Sequence, residues 1–208
     1  MGSPAYKSEQ TYTYGDYLTW PDDERWELID GDAYSMSPAP APIHQQILGK
    51  LYLQCGNYFE DKTCDVYLAP FDVRLPNGNE ADEEIDTVVQ PDLSVICDSG
   101  KIDEKGCKGA PDLVVEILSP TSVVRDMKIK RELYEQHGVK EYWIVLPLDR
   151  IVEVYIMDEN NRYGRPQVYG SEDAIPSTFC PGLDIMLEKV FPPVETKKKS
   201  EGPREKRI

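Results

Sequence analysis

The chain has 208 residues, of which 40% are hydrophobic and 29% charged, enough to bury one substantial core. No run approaches the roughly 18 consecutive apolar residues of a membrane-spanning helix, and the opening MGSPAYKSEQ lacks the apolar stretch of a secretory signal; a cytoplasmic protein with no membrane partner is expected. The formal net charge is −15, and the segment after Phe191 carries six bases against three acids, so the body holds about 18 excess negative charges that repel a phosphate backbone at long range.

Thr13 to Thr19 is expected to form a short helix, with Thr13 as its cap and Asp16 at capping-box spacing. Two alternating runs around Asp30-Gly31 predict a β-hairpin. Residues 43–60 place Ile43, Ile47, Leu48, Leu51, Tyr52, Cys55, Tyr58 and Phe59 at helical spacing, a stripe facing the core. Residues 65–75 and 87–97 are expected as strands, separated by an acidic loop with Glu80, Asp82, Glu83, Glu84 and Asp86. Residues 112–118 form a nearly continuous apolar run, as in a strand buried on both faces. After SPTS a helix is predicted as far as His137, with Gly138 as its left-handed terminator. EYWIVL and IVEVYIM predict two further strands, residues 166–170 an edge strand, and PGLDIMLEKVF a strand or short helix. The organisation expected is a flexible segment over 1–11, a single domain over 12–191, and a disordered charged tail over 192–208. The element order predicts an α/β (α+β) fold with a mixed sheet flanked by helices and an N-terminal hairpin extension. The five cysteines (55, 64, 97, 107 and 180) are odd in number and lack a C-x-x-C pair, so reduced, buried thiols are expected.

Three residues stand out chemically. Glu116 interrupts the apolar run of a buried strand, and an unpaired buried carboxylate costs several kcal/mol, so it must be protonated, paired or bound to a cation. Lys130 falls in the middle of the apolar face of its helix, close in angle to Ile129, Leu133 and Tyr134, so it is expected to point at the sheet; pairing with Glu116 would explain it equally well. Asp92 opens the strand PDLSVI. Two carboxylates on neighbouring strands can hold a hard cation, and a facing lysine can orient water or neutralise charge on a phosphate.

These residues and their surroundings resemble the PD-(D/E)XK nuclease superfamily, and within it the Uma-type branch of restriction-endonuclease-like proteins. The resemblance covers about residues 12–190. It includes WELIDGD, SPAPAPIHQQI, QPDLSVI, PDLVVEILSPTS, the spacing of Asp126, Lys130 and Tyr134, and HGVKEYWIVLP. It implies a restriction-endonuclease-like core, with Asp92 and Glu116 as metal ligands for Mg²⁺, or Mn²⁺ as a substitute. The superfamily lysine normally follows the glutamate by two residues; that position is Leu118 here, and Lys130 is the matching position on the next helix, whereas Lys128 faces solvent. Glu27 and His44 match as accessory positions: Glu27 supplies a further carboxylate or is an exposed strand residue, and His44 contacts metal-bound water or phosphate or is a hydrogen-bonding residue at a helix start. Asp112 and Asp126 are expected to be structural acids.

The function implied is Mg²⁺-dependent endonucleolytic hydrolysis of DNA. A homodimer would provide the two sites that cutting both strands requires, though no residue demands one. The acidic body, and the absence of a helix-turn-helix, zinc finger or basic stripe, favour instead a catalytically inactive nuclease-fold module acting in protein interaction. A phosphoryl hydrolase acting on RNA or another substrate is the third reading.

Overall fold

The computed structural model of the protein describes residues 10–21, 23–36 and 40–193; the expected flexible N-terminus and charged tail lie almost wholly outside these residues. Helix α1 (Tyr14–Tyr17) begins as its capping box dictates, the Asp16 carboxylate accepting from the Thr13 N–H at 2.9 Å. Asp30 and Gly31, with φ of 50° and 78°, form the left-handed pair of a type I′ turn between β1 (Trp26–Ile29) and β2 (Asp32–Ser35). Helix α2 (Pro42–Phe59) buries Ile47, Leu48, Leu51, Cys55 and Phe59. Tyr52, expected on that stripe, sits at its margin and is 40% exposed.

The two runs expected as single strands are each broken in two. The first yields β3 (Asp65–Leu68) and β4 (Val73–Arg74), the second β5 (Val88–Val89) and β6 (Leu93–Ile96). Pro70 and Pro91 stand at the breaks, where a residue without an N–H cannot extend a ladder. The chain continues through β7 (Ile102–Asp103), β8 (Gly106–Lys108) and β9 (Leu113–Ile117). A π-helical turn (Arg125–Lys130) and α3 (Arg131–His137) then lead to β10 (Glu141–Leu146) and β11 (Ile151–Ile156). Gly138, at φ 84°, ends α3 in the left-handed conformation expected of it. The remaining strands are β12 (Gln167–Gly170), β13 (Ala174–Pro176) and β14 (Asp184–Met186), the last two forming a separate pair.

The expected mixed sheet is therefore two six-stranded mixed sheets. The central one runs β12-β11-β10-β9-β6-β3 and the other β2-β1-β5-β4-β8-β7, so the hairpin is part of a second layer rather than an appendage. Strands β9 and β10 are parallel, which requires a crossover, and the π turn with α3 supplies it. Alternation along β9 sends Leu113, Val115 and Ile117 into a core shared with α2. Val114 points the other way, into a core shared with α3 and the second sheet, and Glu116 follows it by alternation.

One cysteine expectation is overturned: Cys64 and Cys97 form a disulfide. They stand one step beyond the Asp65↔Ile96 pair of β3 and β6, so strand pairing makes neighbours of residues 33 apart in sequence. Cys55 and Cys107 are buried free thiols and Cys180 a half-buried one. Among the described residues no helix is long and apolar enough to cross a membrane.

The acidic loop is organised by basic residues. Arg74, buried in β4, donates to Asp82 at 2.7 Å and Asp103 at 2.6 Å, and Lys108 donates to Asp82 at 2.5 Å. The Lys108 bond holds Asp82, and the Arg74 bond holds Asp103, below the usual carboxylate range. This stabilisation is complete above the unfolded carboxylate value of about 3.9 and is lost as pH falls through the lower folded values. Arg74→Met is accordingly expected to cost about 1–3 kcal/mol at neutral pH, both carboxylates keeping contact with solvent. It should also move the midpoint of acid unfolding, followed by circular dichroism, to higher pH; an unchanged midpoint would show that the pairs contribute nothing.

Candidate active site

Continuing the Leu93↔Val115 register of β6 and β9 by one residue sets Asp92 opposite Glu116. Asp92 stands just before β6, outside the ladder, and is close enough for its charge to act on Glu116. The Ile117 N–H donates to Asp92 Oδ2 at 2.7 Å, and His44 Nε2, from the first turn of α2, lies 3.1 Å from the same oxygen. Asp92 thus ties the helix start to the strand that carries Glu116.

Lys130 Nζ donates to Glu116 Oε1 at 2.7 Å, and Tyr134 OH donates to it at 2.9 Å. Lys130 is turned to the sheet, as its angular position predicts, while Lys128 is exposed. The same ammonium lies 2.7 Å from Glu27 Oε1, which also accepts from the Gln90 N–H at 3.0 Å. Glu27 is therefore no exposed strand residue; its relative exposure is 0%. Asp126, expected to be an ordinary helix acid, is likewise buried, 3.9 Å from Lys130 Nζ. Arg125 Nε lies 3.6 Å from Glu27 Oε2 and 3.9 Å from Asp126 Oδ1. Asp112 is structural as expected, accepting from the Cys97 N–H at 2.8 Å and from Lys140 at 2.6 Å.

The electrostatics follow first from burial and then from crowding acids around few cations. Burial pushes Glu116 up; Lys130 opposes this, and the carboxylates of Asp126, Asp92 and Glu27 reinforce it. Asp126 is raised too, again chiefly by burial. Burial alone would lower Lys130, but Glu116, Glu27 and Asp126 outweigh it and hold the lysine above its ordinary value, so it stays protonated.

Among the described residues, no three His, Cys, Asp or Glu side chains form a ready-made metal cage. The donor set nevertheless fits a hard cation. The hydrogen bonds described fall on Oδ2 of Asp92 and Oε1 of Glu116, so a cation would take the other oxygen of each, and Mg²⁺ commonly uses one or two carboxylates plus water and substrate phosphate. Glu27 Oε2 and Asp126 Oδ1 are buried without a hydrogen-bond partner. Three carboxylates gather around Lys130 and Arg125, and Asp92 beside Glu116 adds a fourth, a negative excess that a cation would offset.

The sequence profile of the Uma2 family, described as "Putative restriction endonuclease", matches residues 14–188. The chain belongs to the Uma2 family. A solved structure from Anabaena variabilis ATCC 29413, described as "a putative nuclease belonging to DUF820", superposes with a TM-score of 0.66 at 20% identity, covering 86% of this chain and 97% of that one. That likeness shows a shared fold. No curated protein matches the chain at a significant level.

Asp126, Arg125 and Tyr134 were not among the expected site residues. The spacing of Asp126, Lys130 and Tyr134 is a visible signal for two of them; Arg125 leaves none, because a wheel at 100° per residue turns it about 140° from Lys130. The π turn, with its i→i+5 bonds, brings residues five apart to one side.

The two partners of the central ion pair are expected to respond unequally to removal. Lys130→Met strands three buried carboxylates and should cost about 3–5 kcal/mol in denaturant unfolding, whereas Glu116→Gln leaves Lys130 its other acids and should cost less than about 1.5 kcal/mol. The Lys130→Met deficit should shrink as pH is lowered, since carboxylates with raised folded values bind protons more tightly in the folded state. Equal costs for the two variants would contradict this charge balance.

Proposed function

We propose that this protein is a Mg²⁺-dependent endonuclease that hydrolyses DNA phosphodiester bonds, with Mn²⁺ able to substitute. The nearness of Asp92 and Glu116 carries the reading: each is held through one oxygen, and among the described residues no hydrogen bond falls on the other, which a cation would take. Membership of the Uma2 family supports nuclease chemistry, and the description of the Anabaena protein as a nuclease agrees with it.

A cation held there would supply Lewis-acid polarisation of the phosphoryl group and ease deprotonation of the attacking water. The chain's own residues set the geometry. The Ile117 N–H and His44 fix the orientation of Asp92. Lys130 and Tyr134 fix that of Glu116. Because Lys130 keeps its proton and its side chain is 2% exposed, it acts as a fixed positive charge that holds the acids together, not as a base that takes a proton from water. Glu27 shares that charge and links the second sheet to the site.

One observation favours a catalytically inactive interaction module instead. The Lys130–Glu27 pair is almost sealed from solvent, an arrangement that stability alone would justify. Incubating wild type, Asp92→Asn and Glu116→Gln with plasmid DNA and Mg²⁺ or Mn²⁺ separates the two. The proposal expects nicking or linearisation by wild type, abolished by EDTA and reduced on the order of a hundredfold or more in both variants. Absence of cleavage by wild type over a broad salt range, or undiminished cleavage by both variants, would favour the inactive module or a different hydrolase; the same assay on RNA identifies the latter.

A further inference from the structure

We propose that Arg125 is the residue by which this site grips a backbone phosphate of its substrate; the inference rests on reading the site as a phosphodiester-cleaving centre. A body this acidic needs a local positive foothold for a polyanion. Of the two cations in the cluster, Lys130 cannot provide it, its side chain being 2% exposed and held by Glu116 and Glu27 at 2.7 Å. The Arg125 side chain is 18% exposed. It follows Val123 and Val124, which are 37% and 72% exposed, so the head of the π turn stands at the surface while its end, Lys130, is buried.

The guanidinium is oriented without being consumed. Its Nε lies 3.6 Å from Glu27 Oε2 and 3.9 Å from Asp126 Oδ1, both beyond hydrogen-bond range, and is itself buried with no hydrogen-bond partner. Two buried acids therefore anchor the inner edge of the group by charge. The planar fork of an arginine matches two phosphate oxygens at once, which a lysine ammonium does not. The π geometry matters here as well: an unbroken α-helix would turn Arg125 to the side away from Lys130.

The test measures binding of a short labelled DNA duplex by fluorescence anisotropy, in EDTA, across a range of NaCl concentrations. Loss of one phosphate contact in Arg125→Gln should weaken binding and make the plot of log affinity against log salt less steep by about one. A slope equal to that of wild type, in a variant with an unchanged unfolding midpoint, would overturn the proposal. Should Arg125→Gln fail to fold, phenylglyoxal modification of wild type replaces it: the duplex should protect Arg125, and equal modification with and without saturating duplex would overturn the role. Slope loss in a protein that cleaves nothing with Mg²⁺ would sink the nuclease reading and leave the phosphate contact standing. Cleavage with an unchanged KM in Arg125→Gln would do the reverse, and no duplex binding by wild type would sink both.

Discussion

A single buried ammonium organises this protein. Lys130 meets Glu116 of β9 and Glu27 of β1, each at 2.7 Å, and so joins the crossover helix, the central sheet and the second sheet at one point. Charges this far from water survive only when paired, and removing the lysine would leave several acids uncompensated. The local structure around it follows from that demand. Tyr134 supplies a second donor to Glu116, the Gln90 N–H a second donor to Glu27, Asp126 joins the cluster by its i,i+4 spacing to Lys130, and the π turn swings Arg125 toward it.

The same constraint makes the site asymmetric. On one side Glu116 and Glu27 are locked around a cation that stays protonated. On the other, Asp92 is held by a backbone N–H and His44 and its side chain is 20% exposed. A hard cation approaching from solvent would meet Asp92 and the second oxygen of Glu116, with the buried acids adding negative potential behind them. In a protein of net charge −15, a cation sits more comfortably at this position than a bare phosphate does, so the acidity that weighs against nucleic-acid binding is in part what makes a cation site credible.

Much of this was legible in the sequence. The capping box at Thr13, the Asp30-Gly31 turn and the Gly138 terminator are local signals, and the structure follows each of them. Glu116 is conspicuous because a carboxylate inside Leu-Val-Val-Glu-Ile-Leu has few physical explanations, and the inward angle of Lys130 follows from helical geometry. The sequence signal fails where long-range pairing decides. Nothing local tells that the runs around Pro70 and Pro91 are shared between two sheets, that Glu27 of the second sheet is buried against Lys130 and Arg125, or that Cys64 and Cys97 meet beside β3 and β6. The π turn is hidden for another reason: an α-helical wheel assumes 100° per residue, which puts Arg125 on the wrong side, whereas Asp126, four residues before Lys130, falls on the right one.

The proposed nuclease chemistry requires Asp92 and Glu116 to bind a divalent cation together. The most direct measurement is a Mn²⁺ titration of the folded protein followed by electron paramagnetic resonance, comparing wild type with an Asp92→Asn, Glu116→Gln double variant of unchanged unfolding midpoint. Wild type is expected to bind Mn²⁺ saturably, Mg²⁺ to displace it, and the double variant to lose that binding. Mn²⁺ binding of equal affinity in both proteins would contradict that requirement.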